Sequence, residues 1–382
     1  MRGLLAFLLA LALAGPAAAG AAPSLKLSLA GNPQVVFTPA RDACDGNDVP
    51  DAPVRAFRDA AGGVVMFGLH DVNRAFRGAT LDSLRLDCRI VLDSHSNPDP
   101  AAFDDRSWIT AVWTRDGRSV EALVHHEYQA SEHKGRCLFP EYIKCWYNTI
   151  LAAHSSDAGA TFVRPSAPVV AAVPFRSDFD QGRHRGFFNP SNIVAFQGQQ
   201  YFFASTTGWA GQEGGVCLFR SANPAQPGSW RAWDGASFAS DFPNPYAAKT
   251  SLASHCALIA PFPAPVGAVV QHGSLFLAVF QAKRDASLFP VSGFYYATSA
   301  NLLAWSFPRL LAPGATLYDD PCGAGERLIA YPSLLDDAAN SRVFADVGPH
   351  PWLYFAALAL EGCTITSRRD LLRVKVDIGN AK

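Results

Sequence analysis

The chain has 382 residues, of which 49% are hydrophobic and 12% aromatic, ample for a large core. Its formal charge of −1 supplies no global field to draw in nucleic acid or an anionic membrane, so no nucleic-acid partner is expected. Eight cysteines, an even number, point to disulfides in an exported chain, and no pair has the short Cys-x-x-Cys spacing usual in zinc sites.

At the N-terminus, Arg2 precedes the apolar run Leu4 to Ala14, the breakers Gly15-Pro16 and the small residues Ala17-Ala18-Ala19. This is the pattern of a signal peptide, here residues 1–22, and it is too short to span a bilayer. A secreted or periplasmic protein is expected, with residues 23–382 forming one domain and no membrane span. Sequence leaves the disulfide connectivity open, although near-neighbour pairing (Cys44 with Cys88, Cys137 with Cys145, Cys217 with Cys256, Cys322 with Cys363) would keep each bridge local.

From Pro23 onward the chain reads as short apolar runs bounded by Gly, Pro, Asn and Asp, without a long helical period, which predicts an all-β fold. Three series recur in a fixed order. Inner-strand candidates are Pro53–Phe57, Trp108–Val112, Pro190–Val194, His255–Ile259 and Tyr331–Leu335. Middle-strand candidates are centred on Val65, Leu123, Phe202, Leu277 and Tyr354, and several end in polar residues such as His70-Asp71 and His126-Glu127. Turn candidates begin at Ser94, Ser155, Ser221, Ser299 and Ser367, at intervals of 61, 66, 78 and 68 residues. A β-sandwich does not predict three series in one order; repeated units around an axis do.

The fullest of these turns, Ser155-Ser156-Asp157-Ala158-Gly159-Ala160-Thr161-Phe162, resembles the Asp box of sialidase-type β-propellers. Ser155 and Asp157 suit bonds to backbone amides, Gly159 suits a positive φ, and Phe162 can anchor the returning strand. The motif closes a hairpin and carries no catalysis. Five repeats of each series imply a five-bladed β-propeller, with a six-bladed sialidase-like ring as the alternative. For closure, Ser24 to Leu29 can pair with the last blade, or Leu372 to Val376 can complete it.

In a propeller the first strands of the blades converge on one central site. That makes Asp51, Asp105 and Glu127 the candidate catalytic carboxylates. The arrangement resembles five-bladed glycosidases of the arabinanase, xylosidase and invertase type, which implies two Asp and one Glu at the channel mouth. Asp51 and Asp105 match the positions on blades one and two. The resemblance puts the Glu on blade three, where this chain has Phe188-Asn189-Pro190-Ser191, and Glu127 on blade two stands in for it. The chemistry requires a proton donor and a second carboxylate as base or nucleophile. Glu127, among Leu123, His126 and Tyr128, is expected to be the acid and Asp51 the base or nucleophile, with Asp105 tuning both.

Substrate-binding candidates are Arg55, Arg106, His126, Tyr128, Asn189, Asn192, Trp209, His255 and Tyr331, which offer cations, amides and aromatic faces to a sugar. The partner is a carbohydrate, with the arginines suiting an acidic one. Sialidase resemblance would use Arg55 as a carboxylate-binding arginine and Glu127-Tyr128 as the nucleophile pair. Two further readings stand beside hydrolysis: a lyase in which Arg55 or Arg106 neutralises a uronate while His126 or Tyr128 takes a proton, and a non-catalytic glycan- or protein-binding propeller. No cofactor is implied, a structural calcium is left open, and the absence of heptads or long apolar stripes points to a monomer.

Overall fold

The computed structural model describes residues 25–247 and 250–380, so the expected signal peptide lies outside the described residues. The chain begins with β1 (Leu25–Phe37). A meander follows of β2 (Pro50–Arg58), β3 (Val64–Leu69), β4 (Arg74–Gly78) and β5 (Arg85–Ile90). Next come β6 (Arg106–Trp113), β7 (Val120–Gln129), β8 (Trp146–Ser155) and β9 (Val169–Ala171). After β10 (Arg185–Phe188), the meander of β11 (Val194–Phe196), β12 (Gln199–Thr206), β13 (Gly215–Ser221), β14 (Arg231–Trp233) and β15 (Phe238–Ser240) forms. The strands β16 (Val266–His272), β17 (Leu275–Ala282), β18 (Gly293–Ser299) and β19 (Arg309–Pro313) make the next sheet. The last comprises β20 (Arg327–Leu335), β21 (Trp352–Glu361) and β22 (Thr364–Asn380), and β1 pairs antiparallel with β22 on its outer side.

Pairing within each meander is antiparallel. Among the described strands the parallel pairing is β10 against β8, which joins two meanders into a ten-stranded sheet. Gly186 permits it, because a Cβ there would collide with the backbone of Asn148. The second strands are buried on both faces, as β17 shows with all eight residues of Leu-Phe-Leu-Ala-Val-Phe-Gln-Ala enclosed. Such a strand is sandwiched between neighbouring sheets, so its sequence is continuously apolar rather than alternating. Outer strands differ: β5 is largely exposed and charged.

The first strands meet at the centre. Ser333 on β20 donates to Val54 O on β2, Arg55 Nε donates to Thr110 O on β6, and Asn192 exchanges two hydrogen bonds with the backbone of Val269 on β16. Gly267 lets β16 approach β20, since a Cβ would run into Pro332 O.

All four disulfides follow the near-neighbour pairing, Cys44–Cys88, Cys137–Cys145, Cys217–Cys256 and Cys322–Cys363. Chain entropy assigns about 4 kcal/mol to each of the three long loops and about 2.5 kcal/mol to the Cys137–Cys145 loop. Disulfides of this kind persist in oxidising compartments. No helix among the described residues is long and apolar enough to cross a membrane.

The turn at Ser155 makes its expected bonds: Gly159 N–H donates to Ser155 Oγ at 2.8 Å, Thr161 N–H to Asp157 Oδ1 at 2.9 Å, and Phe162 is buried. Ser221 and Ser299 occupy equivalent turns after β13 and β18, and both accept amides two residues on. Two of the turn candidates fall elsewhere. Ser94 lies in the connection from β5 to β6, and Ser367 lies inside β22. Likewise His255–Ile259 is not a first strand; it is a connecting segment whose amides bond Trp233 O and Val216 O, and β16 takes that place.

Candidate functional site

Asp51 opens β2, on the rim where the first strands begin. Its Oδ1 forms a close ion pair with Arg369 of β22 and accepts Tyr331 Oη–H of β20 at 3.2 Å, while His70 Nε2 faces Oδ2 at 3.5 Å. Burial raises its proton affinity, Arg369 and His70 oppose that, and the nearby Glu127 charge adds to it; the net shift is upward. Burial works against a charged His70, yet the Asp71 hydrogen bond and the Asp51 and Asp71 charges outweigh it and raise the imidazole's pKa. Tyr331, raised by its burial and by Asp51, stays a phenol and a donor.

Glu127 stands on β7 with a donor on each oxygen. His125 Nε2–H donates to Oε1 at 2.9 Å and Gln129 Nε2–H to Oε2 at 3.0 Å. The His125 tautomer follows from its other nitrogen, which accepts the Asn189 N–H at 3.2 Å and so carries no proton in the neutral ring. Trp108 of β6 neighbours both histidines, its ring 5.3 Å from His70 and 5.5 Å from His125. Each carboxylate therefore has its own imidazole, and both imidazoles touch one indole.

Beyond Glu127 the floor continues into Asn148 and His184. The His184 imidazole forms a short hydrogen bond to Asn148 Oδ1 and stacks on Trp146 at 4.1 Å, and burial pushes its pKa down to about 3. Phe188, 5.2 Å from the His184 ring, also lines a cleft of about 390 Å³ with Thr206, Lys283 and Tyr318. Asn189 and Tyr331 both hold positive φ, +48° and +59°. Neither is glycine, and such conformations cost about 1–3 kcal/mol each and gather at functional sites.

The other expected site residues have different surroundings. Asp105 is enclosed, accepting His133 Nε2–H at 3.0 Å and the Gln129 amide at 3.1 Å on one oxygen, so it reaches Glu127 only through Gln129. His126 is buried on the opposite face of β7, with its pKa pushed by burial to about 3, and accepts the Asp105 amide. Tyr128 shares that face and donates to Pro98 O. Successive strand residues point to opposite faces, so Glu127 is grouped with His125 and Gln129, and His126 with Tyr128.

Arg55 is enclosed at the centre of the fold, and Arg106 pairs with exposed Glu132 at 2.7 Å. Asn192 is committed to Val269, and Trp209 packs beside Phe187, Phe242 and His255 in the core. Sequence reasoning missed His70, Trp108, His125, His184 and Arg369. The alternation along β7 was the available signal for His125; nothing local marks Arg369, which arrives from a strand 318 residues away. Among the described residues, no group of three or more His, Cys, Asp or Glu is arranged to hold a metal ion.

No protein-family model and no curated protein matches the chain. Solved structures similar in outline are carbohydrate-active proteins. A putative exo-β-1,3-galactanase from Bifidobacterium bifidum is 13% identical, with 87% of this chain and 97% of that one covered and a TM-score of 0.45. Sucrose-6-phosphate hydrolase from Lactobacillus gasseri is 10% identical, with coverage of 89% and 62% and a TM-score of 0.48. An α-L-arabinanase from Cellvibrio cellulosa is 12% identical, with coverage of 85% and 92% and a TM-score of 0.43. At this distance the likeness says nothing of substrate or mechanism.

Proposed function

We propose that the protein is an exported glycoside hydrolase on a five-bladed β-propeller, with β1 closing the ring as the outer strand of the last blade. The observation that carries the catalytic reading is the pair Asp51 and Glu127, each with its own imidazole in contact with Trp108, and near enough that the charge of one raises the proton affinity of the other.

The roles differ from those expected from sequence. Asp51, whose affinity for a proton is raised, acts as the donor to the leaving oxygen; Glu127, which accepts an N–H on each oxygen, acts as the carboxylate that activates water or attacks the anomeric carbon. Asp105 acts through Gln129 as a positioning residue. The uronate-lyase reading loses support, because Arg55, Arg106, His126 and Tyr128 all have partners away from the carboxylate pair.

A screen of aryl glycosides against wild type, Asp51→Asn and Glu127→Gln tests the reading. Loss of the acid should fall mainly on substrates with poor leaving groups, whereas loss of Glu127 should fall on all of them. Equal activity of all three proteins would remove the pair from catalysis, and binding without turnover by wild type would favour a glycan-binding module.

A further inference from the structure

Lys283 and Arg284 follow the end of β17 and line the cleft of about 390 Å³ with Phe188, Thr206 and Tyr318. Both are exposed, and among the described residues neither side chain takes part in an ion pair; the hydrogen bond at Arg284 comes from its backbone N–H to Ser292 Oγ. The acidic residue of the lining, Asp285, accepts the N–H and the hydroxyl of Ser287, both at 2.7 Å. Asp319, next to Tyr318, is held by Ser292 and Thr316. Two cations therefore stand on the cleft without a carboxylate of their own.

The cleft connects to the carboxylate pair along both walls. On one, Phe188 neighbours the His184 ring, His184 bonds Asn148, and Asn148 Nδ2 lies 3.3 Å from the His125 nitrogen that serves Glu127. On the other, Gln281 of β17 accepts the Tyr331 amide at 3.1 Å and its side chain also meets the Tyr318 hydroxyl, while Tyr331 donates to Asp51. Residues two apart on a strand share a face, so Lys283, just past the strand end, continues the face on which Gln281 meets Tyr331 and Tyr318. The volume falls within the range of about 300–1,000 Å³ usual for small-ligand clefts, and Phe188 and Tyr318 offer rings to the C–H groups of a sugar. A neutral sugar would leave both cations unmatched, whereas an anionic one gains charge-assisted hydrogen bonds from them.

We propose that this cleft takes an anionic sugar unit, bearing a carboxylate or a sulfate ester, beside the unit whose bond the carboxylate pair cleaves, with Lys283 and Arg284 as the specificity-determining residues. The placement beside a cleaved bond rests on the hydrolase reading; the preference of the cleft for an anion does not.

An array of oligosaccharides carrying uronic acids, sulfate esters or neither, probed with labelled wild type, Glu127→Gln and the double variant Lys283→Ala/Arg284→Ala, tests it. Wild type and Glu127→Gln should be retained on acidic oligosaccharides in preference to neutral ones, and less so as salt rises; the uronate and sulfate sets then tell which anion is taken. The double variant should lose about 10-fold or more in affinity for the acidic set. Retention on neutral oligosaccharides alone, retention on none, or equal binding of the acidic set by the double variant would overturn the proposal. Turnover of the same oligosaccharides separates the two readings: acidic ones bound with none hydrolysed would keep the cleft and remove the hydrolase, and hydrolysis confined to neutral ones would do the reverse.

Discussion

Asp51 and Arg55 share strand β2 and sit in opposite electrostatic settings. At the rim, Asp51 is surrounded by side chains that can titrate or move charge: Arg369, His70, Tyr331 and, nearby, Glu127. At the centre, Arg55 is held by neutral oxygens whose positions are fixed by the strands themselves. The rim keeps an unfavourable feature that folding alone would not select, a second carboxylate whose charge raises the proton affinity of Asp51. The centre is built for rigidity. Changes at the rim should therefore show in turnover, and changes near the centre in stability.

The largest expected effect is at the rim. Glu127→Gln preserves shape, so turnover of glycosides should fall by about 10³-fold or more while Tm moves by no more than about 2 °C. A matching fall in Tm would mean that Glu127 is structural and would erase the contrast between the regions. His125→Ala should lower kcat/KM by up to about 10²-fold through misplacement of Glu127. Because it removes an N–H donor that orients Oε1, the loss should fall on kcat rather than on KM, which a general loss of folded protein would not produce.

Near the centre the sign reverses. Gly267→Ala forces a methyl group against Pro332 O between β16 and β20, which should cost about 1–3 kcal/mol in chemical denaturation with kcat/KM of the folded protein unchanged. The smallest effect belongs to Tyr331→Phe. Removing a donor from Asp51 should raise the pKa of that carboxyl further, moving the descending limb of the pH profile to higher pH. A limb that stays in place would mean Tyr331 does not govern Asp51.

Much of the fold was legible because β-strand patterning and turn chemistry are local. Middle strands such as Val64–Leu69 and Leu275–Ala282 announce themselves as apolar runs, and the Ser155, Ser221 and Ser299 turns share a hydroxyl that accepts amides. Where the repeat is broken, so was the inference: β22 runs on through Ser367, and the segment at His255 is apolar enough to imitate a strand while lying along another sheet. The site was half legible. Asp51 and Glu127 could be named from their places at strand ends, but His126 was preferred to His125, a one-residue error that exchanges the two faces of β7. Arg369 and Arg55 show the remaining limit: each is an arginine within or beside a strand, and only the assembled sheets put one on a carboxylate and the other at the centre.

The most direct test of the Asp51–Glu127 pair is the pH dependence of kcat/KM on a glycoside whose poor leaving group needs protonation, for wild type and Asp51→Asn. If Asp51 must be protonated, the activity of wild type falls as pH passes the raised Asp51 pKa. Asp51→Asn should lose that descending limb. A profile unchanged in the variant would contradict the assignment of Asp51 as the proton donor.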